Sequence, residues 1–290
     1  MGDSGFSIFI VCSLFLQIQT IAGDNTWTNF KVRFAPPEVG QWGIPLTLDQ
    51  AREKGYVKAA TQEDFSKIGV YCLDKDPRAC PMYDTKGKLC GFRIGYVIDT
   101  LSQKCQIGSN YHYETIETFI KGTIFQNMDY YYTDFIFSTP ASLEAGGPAT
   151  RKAPLGDSLH VKLDGKTWTE IPKKEEDILK FPGIVKQACF KQMGQHYFFI
   201  DKNTNCADAR PFFAMYHEGD LVAIGMVAFG SVSKTTRDWY EDIPSFFPKM
   251  TFSDPPECLT PTIGKCGGIG MHMYFTEKPE DIICPKLTNG

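Results

Sequence analysis

Phe198-Phe199-Ile200-Asp201-Lys202, with Cys206 after it, repeats the wording of Tyr71-Cys72-Leu73-Asp74-Lys75, with Cys80 after it. Aromatic and β-branched residues that end on Asp-Lys are the vocabulary of a short strand running into a turn, where the Asp side chain caps nearby backbone. Further matches lie on both sides of these two words, in the same order. Upstream, Lys31-Val32-Arg33-Phe34, Trp42 and Ile44-Pro45 answer His160-Val161-Lys162-Leu163, Trp168 and Ile171-Pro172. Gly55-Tyr56-Val57-Lys58 with Ala60 then answers Gly183-Ile184-Val185-Lys186 with Ala188. Downstream, Met82-Tyr83, Gly87, Leu89 and Gly95 answer Met215-Tyr216, Gly219, Leu221 and Gly225, and Phe135 to Pro140 loosely matches Tyr274 to Pro279.

Short apolar words recur by chance, but a series of them in one order at similar spacing points to an internal duplication. The expected organisation is a signal peptide over 1–23, lobe 1 over 24–140, a linker over 141–158 and lobe 2 over 159–290. The linker stretch ASLEAGGPATRKAPLGDS is rich in Gly and Pro without large aromatics, a composition that suits a segment packing little.

Each lobe reads as an α+β unit dominated by antiparallel sheet, with one short helix against a curved sheet. Thr47-Leu48-Asp49-Gln50 is a capping box that starts a helix stopped at Gly55, and Pro172 and Pro182-Gly183 bracket its counterpart over Lys173 to Lys180. Strands are expected at Val57–Ala60, Val70–Leu73, Leu89–Ile98, Tyr111–Ile120 and Tyr130–Phe137. In lobe 2 they are expected at Val185–Phe190, His196–Ile200, Ala214–Tyr216, Leu221–Phe229 and His272–Thr276. Turns around Gly87 and Gly219 read as hairpins.

The leader sets the compartment. Phe6 to Leu16 is an apolar run too short to span a bilayer, and Ala22 and Gly23 precede Asp24 as a cleavage signal would, although no Lys or Arg opens it. A secreted, extracellular chain without a membrane span is expected. A net charge of -4 without a run of like charges excludes a nucleic-acid binder that depends on a basic patch.

In an oxidising compartment Cys72, Cys80, Cys90, Cys105, Cys189, Cys206, Cys258, Cys266 and Cys284 are disulfide candidates. Nine is odd, so one thiol stays free or joins two chains into a dimer. Four fall in lobe 1 and five in lobe 2, which assigns the odd one to lobe 2.

None of the familiar catalytic words is present: no phosphate loop, dinucleotide fingerprint, zincin helix or nucleophile elbow. The glycines from Gly264 to Gly270 read as a flexible turn tethered by Cys266. Among the histidines, His196 and His272 sit in similar aromatic strand contexts in lobe 2. With Tyr197 and Tyr274 they form a candidate acid–base set, and with His217 a three-imidazole set for Zn or Cu. Side-by-side aromatics such as Phe212-Phe213 and Phe246-Phe247 must send one ring to the core and the other to a second surface. Three functions follow as expectations. The first is a binder of a small apolar or aromatic ligand, or of an extracellular protein, through an aromatic surface between the lobes. The others are a secreted enzyme with a histidine site in lobe 2 and an extracellular-matrix component.

Overall fold

Antiparallel strands carry most of the chain in the computed structural model, which describes residues 26–33, 41–101, 111–232 and 237–285. The leader, Phe34, Cys105 and Lys234 lie outside the described residues. The first half contains β1 (Thr26–Arg33), β2 (Gln41–Gly43), α1 (Leu48–Glu53), β3 (Tyr56–Lys58), β4 (Gly69–Leu73) and β5 (Ala79–Tyr83). It continues through β6 (Leu89–Val97), β7 (Ile120–Ile124), β8 (Met128–Ile136) and α2 (Pro140–Glu144). The second half contains β9 (Leu159–Lys162), β10 (Trp168–Ile171), α3 (Glu175–Ile178), β11 (Val185–Phe190), β12 (Gly194–Phe198) and β13 (Phe212–His217). It ends with β14 (Asp220–Phe229), β15 (Glu241–Asp242), α4 (Phe247–Thr251), α5 (Leu259–Cys266) and β16 (Gly268–Thr276). The fold is α+β dominated by antiparallel sheet, as the strand vocabulary implies.

Two sheets form. One runs β11-β12-β13-β14-β16-β1-β2 with β15 beside β16, and the other β10-β9-β8-β6-β5-β4-β3 with β7 beside β8. Each sheet therefore takes its opening hairpin, β1–β2 or β9–β10, from the opposite half of the chain. The inner faces pack on one another through rings: Phe30 lies 5.0 Å from Phe92 and 5.2 Å from Phe137, and Phe135 lies 6.2 Å from Phe212. The outer faces are covered as well, by loops and short helices. This is why β6, LCGFRIGYV, is buried along its whole length and lacks the alternation of a half-exposed strand.

Several local expectations hold. Thr47 caps α1, with both arms of the capping box formed, and Gly87 and Gly219 take positive φ in their hairpins. Others change. The helix expected over Lys173 to Lys180 shrinks to Glu175–Ile178, because Lys173 and Lys174 are drawn into extended pairing with Asp220 and Leu221. Tyr111–Ile120 is not a strand: it makes a 3-10 turn at Tyr113–Thr115 and sends Tyr111 and Tyr113 inward, where Tyr113 Oη donates to the Phe229 carbonyl at 3.0 Å.

The glycines from 264 to 270 are not a flexible turn. Helix α5 runs to Cys266, Gly267 ends it at φ +86°, and Gly268 and Gly270 begin β16, packed closely under Ile243 and Glu241. Nor does 141–158 pack loosely. Arg151 reaches the buried Asp84 carboxylate at 2.6 Å and the Leu89 carbonyl, and a Cβ on Gly156 would lie 1.9 Å from the Phe137 carbonyl.

Disulfides join Cys72 to Cys80, Cys189 to Cys284 and Cys206 to Cys258, and Cys266 is also disulfide-bonded. Among the described residues the free thiol is Cys90, buried on β6 in the first half and not in lobe 2 as the count by halves assigned it. No helix among the described residues is long and apolar enough to cross a membrane.

Candidate functional site

His196 and His272 stand on β12 and β16, with β13 and β14 between them. Three strand spacings separate their backbones by roughly 14 Å, yet their ring centroids are 6.2 Å apart. Gly225 makes the approach possible. It pairs with both Phe213 and His272, and a Cβ there would fall 2.0 Å from Phe213 Cζ. The Phe213 ring therefore lies across β14, stacked on His196 at 5.7 Å and edge-on to His272 at 5.1 Å. Phe212, its neighbour, points into the core between the sheets, so this pair divides its rings between two surfaces as strand geometry requires.

The two imidazoles differ electrically. His196 is fully enclosed, its Nδ1 donates to the Gly194 carbonyl at 3.0 Å, and the Ala188 backbone is a second polar neighbour of the ring. Burial, reinforced by the nearby His272, lowers its pKa to about 3, so the ring is neutral at physiological pH. His272 Nδ1 lies 2.6 Å from Glu241 Oε1 on β15, a contact with the distance of an ion pair but not the alignment of a hydrogen bond. Glu241 is the solvent-reaching member of the pair.

Of the proposed acid–base set, Tyr274 joins the histidines, stacked 6.5 Å from His272. Tyr197 does not. It faces the other side of the sheet, where its hydroxyl donates to Glu175 at 2.6 Å and burial raises its phenol pKa. His217 sits at the end of β13 and accepts from the Ile283 N–H at 3.3 Å. Among the described residues no three His, Cys, Asp or Glu side chains are grouped to hold a metal ion, so His196, His217 and His272 do not make a Zn or Cu site.

Beside the histidine cluster, on the same outer face, lies an apolar cavity of about 30 Å³. Phe198, Val227 and Phe229 form its floor, and Ile243, Phe247, Pro248 and Phe252 close one side. Leu259 and Ile263 of α5 form the roof, and Arg210 is the charged residue of the lining. Arg210 holds its guanidinium over the Phe199 ring and faces Glu117 at 3.9 Å, with both charged side chains exposed. The roof is fixed: Cys258, just before α5, is bonded to Cys206 near the rim, and Cys266 ends the helix in another disulfide. Helix α4 carries no such staple and turns Phe246 and Met250 outward, 60% and 56% exposed.

The other sheet bears a polar site that the sequence reading missed. Counting from the Met82–Gly91 and Met215–Ala223 pairs, Arg93 and Asp134 occupy the ladder position that Gly225 and His272 occupy opposite. The Arg93 guanidinium also donates to Thr61, the Gln62 carbonyl and Tyr130, and it stacks on Tyr132 at 3.9 Å. Arg93, the one charge in LCGFRIGYV, and Asp134, set among the aromatic and apolar residues of MDYYYTDFI, were the available signal. The aromatic rings between the two sheets, by contrast, belong to the buried hydrophobic core. Comparison with protein-family models, curated proteins and solved structures finds no match to this chain.

Proposed function

We propose that this is an exported binding protein for a small apolar ligand with an acidic end, whose apolar tip enters the cavity beneath α4 and α5. The observation that carries the reading is the cavity itself: an apolar lining with one cation, Arg210, and a roof stapled at both ends. Apolar walls supply affinity by burial, and a single polar group orients the ligand. The apolar leader and the disulfides support export. The acid–base reading has less support, because neither His196 nor His272 lines the cavity and a substrate would need space beside them.

Duplication of one ancestral unit is part of the same proposal, and paired details support it. Tyr83 Oη donates to the Pro45 carbonyl at 2.8 Å, and Tyr216 Oη to the Pro172 carbonyl at 2.5 Å. The helix-capping residues Thr47 and Lys174 bridge to Lys88 and Asp220, and a register shift follows Met82 in one hairpin and Met215 in the other. On this reading the two sheets are equivalents that exchanged their opening hairpins, and the cavity belongs to one of them.

Calorimetric titration with short-chain carboxylates and the matching alcohols tests the binding claim. Carboxylates are expected to bind more tightly than alcohols, Arg210→Gln to erase that preference, and Val227→Phe to abolish both by filling the floor. Undiminished binding to the filled variant would sink the proposal.

A further inference from the structure

We propose that His196 and His272 form a proton-operated latch on α4, so that acidification lifts this helix and empties the cavity. The cargo rests on the ligand-binding reading above; the latch itself rests on a separate set of contacts.

Both ends of α4 lean on rings that lean on His196. At its start Phe247 stacks on Phe190 at 5.8 Å, and Phe190 stands edge-on to His196 at 5.4 Å. Just beyond its end Phe252 meets Phe198 at 5.0 Å, and Phe198 stacks on His196 at 5.9 Å. The strand leading into α4 is held by the third contact, Glu241 to His272. Phe247 and Phe252 are also cavity walls, so whatever moves these rings opens the cavity.

The charges around the latch decide its sign. His196 is surrounded by Phe190 and the Ala188 backbone of β11, the Gly194 carbonyl, Phe198, Phe213 of β13 and His272 of β16. His272 meets Glu241 of β15, Tyr274 of its own strand, Phe213 and His196. Among these contacts the carboxylate is Glu241, and it faces His272. A proton on His196 in the closed form therefore finds the Gly194 and Ala188 backbone but no carboxylate, and burial with the neighbouring His272 outweighs those backbone contacts. Lifting α4 frees Phe190 and Phe198, the rings between it and His196, and once they part, water reaches the imidazole and its ordinary affinity for protons returns. The lifted form binds the extra proton, and its population grows by about tenfold per pH unit below the ordinary imidazole value, roughly thirtyfold by pH 5. The disulfides at both ends of α5 confine the motion to α4.

Hydrogen exchange on the full chain at pH 7.5 and pH 5, corrected for intrinsic exchange chemistry, reads the latch directly. Residues 241–252 are expected to open roughly thirtyfold more often at pH 5 while β13 and β14 stay protected. His196→Phe keeps the stacked ring without the titrating group and is expected to remove the acceleration. Glu241→Gln is expected to loosen the same segment already at pH 7.5. Opening that is independent of pH in the native chain, or equally pH-dependent in His196→Phe, overturns the latch. A small neutral probe, 1-butanol, then separates latch from cargo, because its own charge does not change over this range and its size suits a cavity of about 30 Å³. Loss of probe affinity at pH 5 in the native chain but not in His196→Phe supports release. Equal affinity at both pH values despite the opening overturns it. If the segment opens as expected and the probe binds at neither pH, the cavity reading fails and the latch stands.

Discussion

Arg93 grips Asp134 through two parallel bonds of 2.6 Å, Nε to Oδ1 and Nη2 to Oδ2, with both side chains buried on the outer face of their sheet. Burial opposes the charge on Arg93, but Asp134 more than offsets this, so the guanidinium stays protonated. Removing one partner leaves the other charge buried without compensation. Arg93→Met alone is expected to destabilise the fold by about 3–5 kcal/mol in urea denaturation. The double variant Arg93→Met with Asp134→Leu should recover most of the loss; a double variant as unstable as the single would refute this account.

Gly225→Ala tests the packing that joins the histidines. The added methyl would meet Phe213 Cζ at 2.0 Å and the Met271 carbonyl at 2.6 Å, so both a ring and the backbone must give. A loss of about 1–3 kcal/mol is expected. Adding Phe213→Leu should return only part of it, since the carbonyl clash remains.

His196 makes stability depend on pH. Its folded pKa, about 3, lies below the ordinary value of 6.5. As pH falls below 6.5 the unfolded chain takes up a proton that the closed native chain refuses. Stability is therefore fully present above this value and is lost on acidification, by about 1.4 kcal/mol per pH unit from this group. Chemical denaturation midpoints at pH 7.5, 6, 5 and 4 in the native chain and in His196→Phe should diverge in that order. Parallel pH profiles would remove His196 as the cause.

The Cys206–Cys258 bond closes 52 residues of chain between the cavity rim and its roof. On the chain-entropy account, replacing both cysteines with serine costs about 4 kcal/mol, and the roof should exchange hydrogen faster than β14. Cys90 gives a complementary readout. It is buried, and burial raises its thiol pKa. A thiol reagent should leave Cys90 untouched in the folded protein and modify it once denaturant is added.

Local chemistry could be read from the chain. The Thr47 capping box, the Asp201 turn, in which Oδ1 accepts from the Asn203 N–H, and the strands around β6, β8 and β14 depend on neighbours a few residues away. Their signals are short-range and survive in a linear reading. The free thiol did not, because counting cysteines by halves ignores that Cys90 lies under Met82, whose carbonyl accepts from its Sγ at 3.5 Å.

By itself the sequence determined that the protein would be antiparallel sheet with few helices, that its cysteines would bridge, and that His196 and His272 merited a shared site. Only the tertiary structure decided that β1–β2 pairs with β16 and β9–β10 with β8, which cysteines Cys72, Cys189 and Cys206 bond, and the separation of Tyr197 and His217 from the paired imidazoles. It also placed the cavity outside the sandwich. The physical reason is range: burial pattern and turn chemistry are written locally, whereas strand order, a ring laid across Gly225 and an ion pair between Arg93 and Asp134 depend on segments tens of residues apart meeting in one register.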